Sequence, residues 1–290
     1  MIIEALENRD DLGALAPNPP IAPLRPSMLR TVSSQIALNA LAPAQLVLSI
    51  SIVDASNASE EIAVAQGDKA LAVREILDQH GTRLHIVDVV AGPINVTYSA
   101  QISGTSEALA LNEVENIRYL RQSRYCESDM LAPTARSQFM GLTGVELVTA
   151  VRDWVAKEIR YVPGSSTSTD GALRTLVSRK GVCRDFSHLM IALLRSLDVP
   201  ARMVSTYAPG LTPMDFHAVA EAFVDGAWHV LDATGKAPRQ SLVRIATGRD
   251  AADIAFLTVI GGQVNFVSLG VTATSDEFVL DSAAELVQIA

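Results

Sequence analysis

From Met28 to about Gly104 the apolar positions come in short β-branched runs, either alternating with polar residues or continuous: "LVLSISIVDAS", "RLHIVDVVAG" and "PINVTYSAQISG". Gly, Asn and Asp interrupt them at intervals of roughly 8–12 residues, the rhythm of a small antiparallel sandwich or barrel. The stretch "ALAVREILDQH" is assigned to strand by that context. From Ser106 the period becomes helical. "SEALALNEVENIRYL" opens on a serine cap, and "TGVELVTAVRDWVAKEIRY" opens on Thr143 with Glu146 three residues later, a capping box. Residues 163–170, "PGSSTSTD", read as a loop. A third helix begins near Cys183, and segments 201–207, 216–224, 227–232, 254–260 and 263–271 read as strands. Helices followed by strands predict an α+β region with a mostly antiparallel sheet. Residues 1–27, with five prolines and no usable period, read as an extension. The expected organisation is therefore 1–27 extension, 28–105 all-β sandwich domain and 106–290 α+β domain. No internal repeat is visible.

Composition narrows the function classes. The charge balance is 23 − 32 = −9, with no Lys/Arg cluster interleaved with aromatics. A nucleic-acid or anionic-membrane surface is not expected. No apolar run approaches the ~18 residues of a membrane span. The N-terminal stretch has neither a basic nor an apolar leader segment, so no secretion signal is expected. Two cysteines without a CxxC motif suit a reducing compartment, and the cytoplasm is the default. Five scattered histidines without HExxH predict no metal, and no glycine-rich loop follows a strand, so no cofactor is expected.

The chemistry concentrates at "KGVCRDFSHLMIALLRSLDVPAR". Phe186, Leu189, Met190, Leu193, Leu194 and Leu197 form the stripe of a helix docked by one face. Extending the stripe back one turn reaches Cys183, so its sulfur points toward the packing partner. Gly181 permits a sharp turn into the helix, and Pro200 marks its exit. A first-turn thiol feels the positive end of the helix, Arg184 adds charge, and free backbone N–H groups there can receive an oxyanion. A packed structural cysteine is the competing reading. His188 lies about 140° round the helix from Cys183 and reads as a surface or boundary histidine.

"DFHAVAEAFVDGAWHVLDAT" decides between the two. Asp225-Gly226 between strand-like runs predicts a type I′ hairpin. Its register sets Val224 against Ala227, Phe223 against Trp228, Ala222 against His229, Val219 against Asp232 and His217 against Thr234. His217 and Asp232 then share a face as diagonal neighbours, and His229 falls on the other. A helix-start cysteine followed by a same-face His and Asp favours catalysis over packing. Cys126, Asp185 and Glu221 read as structural, Trp154 as core, and the acids of "GRDAADIAF" as shaping a loop.

"GVCRDFSHLMIALLRSLDVPARMVSTY", "DFHAVAEAFVDGAWHVLDAT" and "RIATGRDAADIAF" resemble the transglutaminase-like superfamily, and most of all its bacterial cysteine-protease branch, over residues 106–260. The resemblance implies Cys183 as nucleophile, His217 as base and Asp232 as its orienting partner. It also implies a papain-like core, with the cysteine helix packed on an antiparallel sheet and an N-terminal β domain. The calcium of eukaryotic members is not expected, because no EF-hand-like or clustered acidic loop is present. The expected activity is thiol-dependent acyl transfer on a peptide or protein amide, most simply hydrolysis. Transfer to an amine, or a binding protein on the same scaffold, are the alternatives. Cys183 is expected to alkylate well ahead of Cys126.

Overall fold

Every second residue of the strand at 92–103 is buried, and the buried set (Ile94, Val96, Tyr98, Ala100, Ile102) is apolar while its neighbours face outward. That period of two makes one face of a sheet stick to another. The computed structural model describes residues 28–104, 113–277, 281–282 and 285–289. The expected extension at 1–27 and the Ser106 cap lie outside the described residues.

Seven strands come first: β1 (Leu29–Ala40), β2 (Ala44–Leu48), β3 (Ala58–Gln66), β4 (Lys69–Ala70), β5 (Arg74–Leu77), β6 (Arg83–Val89) and β7 (Gly92–Ser103). Helices α1 (Glu113–Leu120), α2 (Ser128–Phe139) and α3 (Gly144–Glu158) follow, then β8 (Arg160–Tyr161), α4 (Ala172–Ser178), β9 (Lys180–Gly181) and α5 (Cys183–Arg195). The chain continues through β10 (Ala201–Tyr207), β11 (Phe216–Val224), β12 (Ala227–Leu231), β13 (Val243–Gly248), β14 (Leu257–Gly261) and β15 (Val264–Ser275). The fold is α+β: helices packed on an antiparallel sheet, and an all-β sandwich whose strands come from both sides of them in the chain.

The sandwich consists of sheets ordered β15-β1-β7-β3-β4 and β14-β2-β6-β5. The expected strand at "ALAVREILDQH" is present as β4 and β5. The strands read at 254–260 and 263–271 also form, but they join the sandwich: β14 pairs with β2 and β15 with β1. Their alternation carries no information about which sheet receives them. Tyr207 ties the two regions together, stacking on Tyr98 and donating its hydroxyl to the Ile50 carbonyl at 2.9 Å.

The second sheet runs β12-β11-β10-β13, antiparallel throughout. Helix α5 packs against β10 and β11 on one side and against α2, α3 and α4 on others, so it is buried from Asp185 to Arg195 on every face. The one-face docking expected from its stripe is thus corrected: polar residues sit inside because each finds a partner. Arg195, for example, donates to the carbonyls of Ala201, Arg121 and Arg249. His188 moves from boundary to core with them, wholly buried, stacked on Tyr125 and accepting the Ala251 N–H at 3.1 Å. Thr143 caps α3 by backbone position, but its side chain makes no cap hydrogen bond, so the expected capping box does not form.

Candidate active site

The start of α5 is shaped by Asp185, whose Oδ2 accepts the Val182 N–H at 2.8 Å and the Ser166 hydroxyl at 2.6 Å. Gly181 is required by this approach: a Cβ there would stand 2.5 Å from the Asp185 Cβ. Arg184 reaches out to the loop at 163–170, donating to the Thr167 carbonyl at 2.6 Å. Cys183 is thereby held at the first helical position, half-buried and unpaired.

The Asp225-Gly226 turn has φ of 51° and 79°, positive at both central residues as a type I′ hairpin needs. Its register is the expected one from Val224–Ala227 through Ala222–His229, which puts His229 on the face away from His217. The ladder ends at Ala220–Leu231, so the further pairs expected at Val219–Asp232 and His217–Thr234 do not form. Asp232 instead leaves the strand. Its Oδ1 accepts the Thr234 N–H at 2.8 Å and the Thr234 hydroxyl at 2.7 Å, while Oδ2 lies 2.7 Å from His217 Nε2. His217 is almost fully buried, and its ring lies close enough to the Cys183 thiol for the two to interact. With Nε2 held by Asp232, the nitrogen left for sulfur is Nδ1. The Ser187 hydroxyl donates to the Ala218 carbonyl at 3.0 Å, which locks α5 onto β11 beside this contact.

Burial disfavours a charged imidazole, but hydrogen bonds to Asp232 and Cys183, together with their charges, outweigh it and push His217 up to about 10. Burial likewise opposes ionisation of Asp232, and the His217 and Thr234 contacts overcome it, holding the carboxyl below its ordinary value. The arrangement can therefore store a proton on the imidazole next to a thiol at neutral pH.

One neighbour escaped the sequence. The two-residue pairing of β8 with β9 is parallel, with Tyr161 opposite Gly181. It brings the Tyr161 hydroxyl close to the thiol and backbone N–H of Cys183. Burial, aided by the charges of Cys183 and Asp215, pushes this phenol up to about 12, so it stays protonated. The only sequence signal is a tyrosine directly after a helix, too common a pattern to notice. Trp154 packs edge-on against Phe139 as core. Cys126 is fully buried, its thiol pushed up to about 12 by desolvation. Glu221 is buried between Arg202 and Arg244. Asp250 accepts the N–H groups of Tyr125 and Ala252, bracing the loop that covers His188.

The transglutaminase-like superfamily matches this chain over residues 134–233. A crystal structure from Cytophaga hutchinsonii, described as a candidate cysteine protease, superposes with a TM-score of 0.79 at 30% identity, covering 88% of this chain and 92% of that one. An uncharacterized protein of Mycobacterium leprae is 30% identical over 116 residues, 37% of this chain and 42% of its own length. One from Mycobacterium tuberculosis is 32% identical over 126 residues, 37% of this chain and 40% of its own length. The chain thus matches less than half the length of these mycobacterial relatives. Among the described residues no helix is long and apolar enough to cross a membrane, and no group of His, Cys, Asp and Glu could hold a metal ion.

Proposed function

The chain belongs to the transglutaminase-like superfamily, and from that premise we propose that it hydrolyses an amide or peptide bond through Cys183, His217 and Asp232. The observation that carries this reading is the convergence of three groups at the start of a buried helix: the Cys183 thiol beside the buried His217 ring, and Asp232 hydrogen-bonded to that ring at 2.7 Å. The Cys183 sulfur attacks the amide carbon, a C–S bond forms, and the carbonyl electrons move onto oxygen. The Cys183 N–H receives that oxygen, and the nearby Tyr161 hydroxyl donates a second hydrogen bond to it. As the C–N bond breaks, His217 passes its proton to the leaving amine. It then takes a proton from water, which attacks the acyl-enzyme and frees a carboxylic acid and the thiol. Asp232 holds the ring in one tautomer through both halves.

Water is the acceptor proposed because it is always present as a competing nucleophile for the acyl-enzyme. The two cysteines are unpaired, which favours a reducing compartment and hence the cytoplasm. Mass spectrometry after treatment with a thiol-reactive peptide probe tests the central assignment. Cys183 should be labelled within minutes and Cys126 not at all, and equal labelling of the two in the folded protein overturns it.

A further inference from the structure

The loop that leaves Asp232 is fixed at both ends. At its start the Thr234 N–H and hydroxyl close onto Asp232, and Gly235 turns the backbone with φ 58°. At its far end Ala237 is buried, and the buried Arg239 donates to Asp281 and to the Val230 carbonyl. Between these anchors the loop presents Lys236, half-buried, with its ammonium 4.3 Å from the centre of the Tyr161 ring. Tyr161 pairs by its backbone with Gly181 and sets its hydroxyl close to Cys183. A fixed cation thus stands one aromatic ring away from the reacting sulfur.

Lys236 takes no carboxylate partner among the described residues, although acids outnumber bases 32 to 23 in the chain. The acids that act on Tyr161 are already engaged: Asp232 with His217 and Thr234, and Asp215 with the Phe216 N–H. A half-buried lysine on a pinned loop is poised for a counter-charge that the described residues do not supply.

Building on the nucleophile reading above, we propose that Lys236 is a specificity residue and that the substrate is an amide carrying a carboxylate close to the scissile bond. The carboxylate is either an acidic side chain or a free peptide terminus. Arginine would keep the charge at this position, and glutamine would keep most of the length without it.

Iodoacetate and iodoacetamide differ in one negative charge and alkylate the same sulfur. The ratio of their second-order rates at Cys183 therefore reports the local field and cancels effects on thiol reactivity common to both. Lys236→Gln should lower that ratio roughly three- to ten-fold relative to wild type, and Lys236→Arg should restore most of it. A ratio unchanged in folded Lys236→Gln overturns the proposal. In the wild-type protein, an acetyl-glutamyl peptide amide, an acetyl-alanyl peptide acid and an acetyl-alanyl peptide amide compete with iodoacetamide for Cys183. Protection by either acidic peptide at lower concentration than the neutral one supports the proposal, and the stronger of the two identifies the source of the carboxylate. Equal protection by all three overturns it. Should Cys183 alkylate no faster than Cys126, the nucleophile reading fails and takes this inference with it; normal alkylation without charge discrimination sinks Lys236 alone.

Discussion

Asp232 has two oxygens and three donors to satisfy: the Thr234 N–H and hydroxyl on one side, His217 on the other. Asp232→Asn can keep the Thr234 contacts only by turning its amide nitrogen toward His217. The ring must then accept at Nε2 and carry its proton on Nδ1, the nitrogen facing sulfur, without a carboxylate to support the imidazolium. We expect Cys183 alkylation at neutral pH to slow by roughly 10- to 100-fold in this variant while the melting temperature stays near wild type; the corresponding change in serine proteases costs ~10⁴ in turnover. Wild-type reactivity in folded Asp232→Asn would reduce the set to a Cys183–His217 pair. Tyr161→Phe separates a different step. It keeps the ring against Phe186 and removes only the hydroxyl, so peptide turnover should fall roughly 100- to 1000-fold, the range for one oxyanion donor. Alkylation by iodoacetamide builds no oxyanion and should slow far less. Parallel losses in both assays would mean that Tyr161 serves the thiol and not the carbonyl oxygen.

Elements were legible wherever their determinants are local. The β11–β12 hairpin follows from Asp225-Gly226, because two residues with positive φ dictate the register of the strands they join. Helix α5 shows itself by its apolar spacing, yet its complete burial does not, since Ser187, His188 and Arg195 look like surface residues until their distant partners are known. Strand β13 was hidden for the same reason. Its Arg244 is buried against Glu221, 23 positions away in the chain. Pro133 sits within α2 and argues against the helix it belongs to. Tyr161 depends on a two-residue parallel pairing that no periodicity reports. The catalytic candidates were thus readable, and the residue beside them was not. A prediction at this scale concerns the joint between β9 and α5. Gly181→Ala pushes a methyl into the Asp185 side chain that seats the helix start. Thermal denaturation should show a loss of about 1–3 kcal/mol, accompanied by slower Cys183 alkylation. Unchanged stability would mean that Asp185 yields freely and does not set the start of α5.

Across the whole molecule, burial sorts the five histidines by the proton they prefer. Desolvation lowers His80 to about 4 and His188 to about 3, and lowers His85 and His229 as well, whereas His217 alone is raised. In the lowered group the unfolded chain binds protons first, so their contribution to stability is present above about pH 6.5 and is lost as pH falls toward 3–4. His217 has the opposite sign. Its contribution is complete below about pH 6.5 and erodes as pH rises toward about 10. The melting temperature should therefore fall between pH 6.5 and 4, and His188→Phe, which keeps the stack on Tyr125 but cannot titrate, should show a shallower fall. Identical slopes for the two proteins would remove His188 as a source of acid sensitivity. The pairing of β1 with β15 has a further meaning in time. Ser33 on β1 bonds Thr272 on β15 across 239 positions of chain. While the protein is being synthesised, β1 and β2 must wait through the making of every helix before β15 and β14 arrive to cover their open sides. Until then the newborn sandwich presents unpaired backbone edges to the cytosol or to a chaperone. The sandwich strands made before the helices are thus among the last to be covered, and the β12-β11-β10-β13 sheet, whose strands lie close together in the chain, can assemble ahead of them.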